Sequence, residues 1–199
     1  MDSMIEISPK KIEGQWNEGF ALDFHTISSD YIGDNEYGQP QFDTKRTALG
    51  DLLYRLKYGN DRSVLDVVVA TTVEFIKSRS WSIELVIPIP PSRERSFQPV
   101  VAVAEGLAQA LKVPCCGGCV VKIKEAPELK NIYDYQKRSA ILSNAFDAVR
   151  SAIEGKNVLL FDDLYRSGAT MNSVSSVVGE KGKAKVIYAL ALTMTRKRR

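Results

Sequence analysis

The sequence predicts an α/β domain organised around a mainly parallel sheet, and three observations carry that expectation. Continuous apolar runs at residues 85–89, 158–161 and 186–192 have the length of strands buried on both faces. Between them, apolar residues recur at helical spacing, at Val100, Val103, Ala104, Leu107 and Leu111 and again at Met171, Val174, Val177 and Val178. Prolines and glycines punctuate the junctions, and strands that alternate with amphipathic helices pack as parallel crossover units.

In chain order, residues 19–27 (GFALDFHTI) set Phe20, Leu22 and Phe24 against Ala21, Asp23 and His25, the period of a strand with one buried face. His25 falls on the opposite face and reads as a surface histidine. Gly33, Gly38 and Pro40 then mark a loop or a second hairpin arm. Two helices are expected at about 45–58 and 61–78, joined by Gly59 and Asn60, with Asp61 as a cap. The strand at 85–89 must stop at Pro90 and Pro91, because proline cannot feed a central ladder. A helix through Val100 and Leu111 closes at Val113 and Pro114. A strand at 119–123, a polar segment at 124–138 and a short helix toward Phe146 precede the strand–helix–strand pattern of the last third. No internal repeat or low-complexity linker interrupts the chain.

Composition narrows the chemistry. The 199 residues include one His and three Cys. A His-dependent triad would have to use His25, a zinc site with several His ligands is impossible, and a disulfide scaffold needs more cysteines. Cys116-x-x-Cys119 has the spacing of half a metal site but lacks a second pair, so Cys115, Cys116 and Cys119 read as small buried thiols near a strand start. No apolar signal-peptide core opens the sequence, and the longest apolar stretch, residues 64–76, is interrupted by Asp66 and Glu74; a soluble, cytoplasmic protein without membrane association is expected. The formal charge of +3 hides an asymmetry. Residues 1–43 hold 2 Lys against 9 Asp plus Glu, a balance of −7, which leaves +10 on residues 44–199. The expected division is therefore an acidic, β-rich segment at 1–43 followed by a basic domain at 44–199. A basic body suits anionic partners, either phosphorylated small molecules or nucleic acid. Arg196, Lys197, Arg198 and Arg199 form either a solvated tail or a nucleic-acid contact.

The most informative stretch is residues 158–170, VLLFDDLYRSGAT. A buried strand runs into Asp162 and Asp163, then into a Ser-Gly-Ala-Thr turn that opens a helix. In open parallel sheets, ligands bind beyond the carboxyl ends of strands. There the helix start offers unpaired N–H groups and the positive end of its dipole, Gly168 permits close backbone approach, and Ser167 and Thr170 add hydroxyls, which together cradle a phosphate. Two carboxylates beside such a cradle would repel the phosphate, so they face a polyol, a metal or a carbon developing positive charge. A sugar phosphate satisfies these demands, with its phosphate in the 165–170 loop and its vicinal hydroxyls donating to Asp162 and Asp163.

This stretch resembles the phosphoribosyl pyrophosphate (PRPP) motif of type I phosphoribosyltransferases, and within that superfamily the chain is most similar to ComF family proteins. The resemblance covers residues 49–196: LLYRLKYGNDRS matches a helix with a Lys-Tyr/Phe-Gly signature, VIPIPPSRERSFQ a Pro-x-Pro and Arg-rich loop, and YQKRSAILSNAF an Arg-containing segment. Arg166 and Ser167 stand where the family usually has two threonines, Arg95-Ser96-Phe97-Gln98 lacks the usual Gly and Asn, and the family's amino-terminal four-cysteine zinc module is missing from this sequence.

The resemblance implies a transferase of nucleotide metabolism that passes phosphoribose from PRPP to an acceptor with release of pyrophosphate. Asp162 and Asp163 become the catalytic acids, holding ribose hydroxyls or the waters of Mg²⁺ rather than the metal directly. Tyr165, Arg166, Ser167, Gly168, Ala169 and Thr170 bind the 5′-phosphate, and Pro91, Ser92, Arg93 and Arg95 take the pyrophosphate. Lys130 and Arg138 belong to a segment that either closes over the site or stays solvated, and Tyr133 and Tyr135 are open as base-stacking groups. Residues 1–43 are open as the acceptor-recognition lip or as a docking surface for a partner protein, and a homodimer is compatible with the family. The alternative function is a non-catalytic module of the same fold that binds a phosphorylated ligand, nucleic acid or a DNA-processing partner.

Overall fold

A computed structural model of the protein describes residues 4–91, 96–123 and 145–196. Its centre is a five-stranded sheet. In chain order the strands are β1 (Lys10–Lys11), β2 (Glu18–Phe24), β5 (Leu85–Pro88), β8 (Asn157–Tyr165) and β9 (Val186–Met194), and they lie in the order β1-β2-β9-β8-β5. β2, β9, β8 and β5 are mutually parallel and β1 is antiparallel to β2. The α/β class with a mainly parallel sheet is therefore the fold observed.

Two apolar layers cover the sheet. One gathers α1 (Ala48–Tyr58), α2 (Leu65–Ser78) and α3 (Pro99–Leu111) over Leu159, Phe161, Leu190 and Leu192. The other brings α5 (Ala169–Glu180) and the ribbon of β6 (Val120–Lys122) with β7 (Phe146–Ala148) over Val158, Leu160, Ala189 and Ala191. Successive residues of β8 thus serve opposite layers, and residues 158–161 are 0% exposed, which is why this strand reads as continuously apolar. Truncating Leu159 or Phe161 to Ala would cost about 2–5 kcal/mol through lost burial and the cavity left behind.

The sheet draws on both sides of residue 43. β2 lies between β1 and β9, and Ala21 and Leu22 are both 0% exposed, so the one-sided strand expected at residues 19–27 is covered on both faces. The chain then leaves the sheet as an antiparallel hairpin, β3 (Thr26–Asp34) with β4 (Pro40–Arg46), carrying exposed Tyr31, Ile32, Tyr37 and Phe42.

Local chemistry sets the helix boundaries. α1 starts at Ala48 rather than at 45 because Thr47 caps it: Thr47 Oγ1 accepts from Gly50 N at 3.0 Å and donates to Phe24 O at 2.6 Å. Asp61 caps a 3₁₀ turn (Arg62–Val64) that precedes α2, and Arg55 Nη2 grips its carboxylate at 2.6 Å. Pro99 occupies the first turn of α3, and Lys112 ends that helix in the left-handed region at φ 57°. α4 (Arg150–Ile153) is a single turn leading into β8.

The cysteines correct one expectation. Cys116 and Cys119 form a disulfide with a Cα–Cα distance of 5.4 Å rather than standing as separate thiols, and Cys115 remains free. Burial, with Glu105 nearby, pushes the Cys115 thiol above its ordinary value.

Candidate functional site

β8 outruns its neighbour. β5 pairs with β8 only as far as Pro88 opposite Phe161, whereas β8 continues beside β9 to Tyr165 opposite Met194. Asp162 and Asp163 are therefore the first residues of β8 past the end of β5, where a sheet leaves an open crevice. Strand alternation sends the two adjacent carboxylates to opposite faces. Asp163, following Leu159 and Phe161, meets the α1 layer, where Lys57 Nζ lies 2.8 Å from its Oδ1. Asp162 follows Val158 and Leu160 toward the α5 layer.

Backbone bonds tighten this corner. Asp163 N donates to Asp162 Oδ1 at 2.8 Å, and Thr193 Oγ1 donates to Asp163 O at 3.3 Å. The same hydroxyl lies 3.2 Å from His25 Nδ1. His25 is thus a member of the site's rim, not the free surface residue that strand alternation suggested: β2 is an interior strand, and His25 N donates to Met194 O of β9 at 2.8 Å. Burial, then the positive charges of Lys57 and Arg46, hold the imidazole below its ordinary pKa, with Asp163 opposing them. Asp162 moves the other way. Desolvation first, and the neighbouring Asp163 second, raise it to about 7, against the pull of the Asp163 N–H and of Lys57.

Beyond the acids, Tyr165 ends the strand and residues 166–168 turn into α5. Gly168 sits at φ 76°, a conformation that glycine adopts without strain, and no side chain caps the helix start with a good hydrogen bond. The nearest candidate, Ser167 Oγ, lies 3.5 Å from Ala169 N. Arg166 is exposed, and Ser167 and Thr170 are half-buried. The expected phosphate loop, Tyr165 to Thr170, is thus one continuous strand–turn–helix unit with the acids at its root.

Residues 12–17 brace this unit, a contact that periodicity does not reveal. Asn172 Nδ2 donates to Gly168 O at 2.9 Å while its Oδ1 accepts from Gln15 N at 2.9 Å, so one side chain ties the loop to the preceding segment. Ser175 Oγ donates to Gln15 O, and Trp16 packs edge-on against Tyr165 with ring centroids 6.4 Å apart.

Next to Lys57, a cavity of about 530 Å³ is lined by Leu56, Lys57, Tyr58, Asn60, Arg62, Ser96 and Phe97. The Arg62 guanidinium lies over the Phe97 ring at 4.7 Å. Of the expected pyrophosphate set, Pro91 is exposed beyond β5, while Ser92, Arg93 and Arg95 lie outside the described residues, as do Lys130, Arg138, Tyr133 and Tyr135. Arg196 is anchored at the hairpin base, its Nε donating to Thr26 O at 3.3 Å and its guanidinium 4.2 Å from the Phe24 ring; Lys197, Arg198 and Arg199 lie outside the described residues. Among the described residues, no three His, Cys, Asp or Glu side chains gather as a metal cage. The two carboxylates diverge, and Asp163 is engaged by the Lys57 ammonium. Among the described residues, no helix is long and apolar enough to cross a membrane.

Comparison with known proteins bears on the fold. No family model matches the chain. It is 27% identical over 151 residues, 75% of its length, to the competence protein ComFC of Bacillus subtilis (strain 168), and the match spans 61% of that protein. Among solved structures, adenine phosphoribosyltransferase from Trypanosoma brucei, in complex with AMP, pyrophosphate and ribose-5-phosphate, superposes with a TM-score of 0.51 at 11% identity, covering 96% of this chain and 87% of that one. Adenine phosphoribosyltransferase from Leishmania donovani gives a TM-score of 0.49 at 12% identity over 94% of this chain and 86% of that one. The fold is that of type I phosphoribosyltransferases. In sequence the chain is similar to ComFC over three quarters of its own length.

Proposed function

We propose that the protein binds PRPP with Mg²⁺ and transfers phosphoribose to an acceptor, releasing pyrophosphate. The observation that carries this reading is the β8–α5 unit, in which diverging carboxylates at the strand end lead directly into a left-handed glycine and a helix start without a firm side-chain cap. The α5 N–H groups and Ser167 hold the 5′-phosphate, and Asp162 and Asp163 accept from the ribose hydroxyls. Asp162 and Asp163 would hold Mg²⁺ indirectly, through its waters or the ribose hydroxyls, and the ion would supply positive charge against the leaving pyrophosphate. In the transfer, the acceptor's lone pair forms the new bond to the anomeric carbon, the bond to pyrophosphate breaks with its electrons leaving on oxygen, and the acceptor gives up a proton. The carboxylates lower the energy of the positive charge that develops on the sugar, and no covalent enzyme intermediate is required. The cavity beside Lys57 gives an acceptor room.

Calorimetric titration with PRPP and Mg²⁺, followed by a pyrophosphate-release assay against panels of nucleobases and amines, tests the reading. Saturable binding that is lost in Asp162→Asn/Asp163→Asn with the fold retained supports it, and absence of any PRPP affinity removes it.

A second reading, a non-catalytic module acting with nucleic acid, is favoured by the +10 balance of residues 44–199 and by the competence role named for ComFC. It predicts DNA binding that weakens steeply with salt and with removal of residues 196–199. No binding at low salt rejects it.

A further inference from the structure

Asp163 is held at three points by three different groups. Lys57 Nζ pairs with its carboxylate at 2.8 Å, Thr193 Oγ1 donates to its carbonyl oxygen at 3.3 Å, and its own N–H donates to Asp162 Oδ1 at 2.8 Å. The ion pair is largely withdrawn from water, with side-chain exposures of 15% for Lys57 and 17% for Asp163, unlike the other pairs among the described residues, whose side chains are 29–59% exposed. An exposed pair exchanges among rotamers at little cost, whereas a pair in this setting fixes both groups, because releasing either leaves a charge facing low dielectric.

The location of that constraint matters more than its strength. Lys57 belongs to the last turn of α1, an element outside the β8–α5 unit, and Asp163 is the acid that alternation turns toward it. A vicinal diol presents two hydroxyls at a fixed spacing and needs two acceptors at a matching one. An acceptor displaced by an ångström forfeits much of the gain from orientation.

We infer that Lys57 is a positioning residue for diol recognition: it fixes the Asp163 carboxylate so that Asp162 and Asp163 together select a sugar phosphate with an intact 2′,3′-diol over its 2-deoxy counterpart. This rests on the phosphoribosyl reading above. Lys57 acts through Asp163, and the 5′-phosphate subsite at α5 is independent of it.

The test compares ribose 5-phosphate, 2-deoxyribose 5-phosphate and inorganic phosphate, titrated into the full chain by calorimetry. The expected wild-type preference for ribose is about tenfold or more, from one hydroxyl bonded to a charged acceptor. Lys57→Met, which keeps the aliphatic stem, reduces that preference to about threefold or less and leaves inorganic phosphate affinity within about twofold, while Lys57→Arg restores most of the preference. Circular dichroism confirms folding, and Lys57→Gln gives the same comparison should the Met variant unfold. A variant that keeps the wild-type ribose preference overturns the proposal. So does a parallel fall in phosphate affinity, which would show that Lys57 acts on the anion or on the fold. If the wild type binds none of the three probes, the phosphoribosyl reading itself fails, and the proposal with it.

Discussion

Tyr165 folds back over Gly168, so that a β-carbon at position 168 would meet the phenol ring with its Cζ 2.7 Å away. Because Gly168 also has φ 76°, Gly168→Ala is penalised twice, by backbone conformation and by the ring. We expect a stability loss of about 1–2 kcal/mol and a larger loss of phosphate affinity, because the displaced ring sits on the proposed phosphate loop. Chemical denaturation and phosphate titration separate the two effects, and an unchanged phosphate affinity would remove the loop from the binding site.

Asp162 predicts opposite pH trends for binding and for stability. With its folded value raised to about 7, the native state holds a proton that the unfolded chain has released between roughly pH 4 and pH 7. The contribution of this residue to stability therefore grows as pH falls through that window, while its capacity to accept from a ribose hydroxyl declines. Ribose 5-phosphate affinity should drop below about pH 7 without unfolding, and Asp162→Asn should flatten that profile and melt a few degrees higher than wild type at pH 8.

The imidazole of His25 should remain neutral at pH 7 and titrate below the ordinary histidine value in an NMR titration, because burial and the three cations Lys57, Arg46 and Arg166 oppose its protonation. Its folded value is depressed, so this residue's contribution to stability is present above the ordinary value and declines as pH falls through it. Lys57→Met removes one of the cations, and the midpoint should move upward.

Asn172→Ala cuts the tie between residues 12–17 and the loop at Gly168. The expected result is an increase in KM for PRPP of about three- to tenfold with little change in kcat, together with faster amide exchange at Gln15. Unaltered exchange at Gln15 would mean that packing of Trp16 on Tyr165 holds the segment by itself.

Much of this architecture is legible from residue pattern alone. The apolar run at 158–161 announces an interior strand because its two faces meet two separate cores, and the acids that follow it mark the strand end where ligands collect. The Gly168 turn is legible because no other residue type enters a helix from that conformation at so little cost. His25 was not legible as a site residue, since alternation gives a side chain's face but not whether a further layer covers it. Lys57 sits in the helical stretch before Gly59, yet its partner is 106 positions away in sequence, and only the packing of α1 on the sheet brings them together. The bracing by residues 12–17 depends on amide and hydroxyl contacts between segments more than 150 positions apart, which carry no periodic signal.

The position of β2 beside β9 bears on how this protein can be cut or tagged. Removing the acidic residues 1–43 to examine the basic remainder would take away an interior strand and leave β9 with a long row of unpaired N–H and C=O groups along a hydrophobic edge. Such an edge is a template for intermolecular pairing, so the truncated chain should aggregate, and a lost interaction in it would report misassembly rather than a missing docking surface. Charge reversal on the protruding β3–β4 hairpin interrogates the same acidic region while leaving the sheet closed.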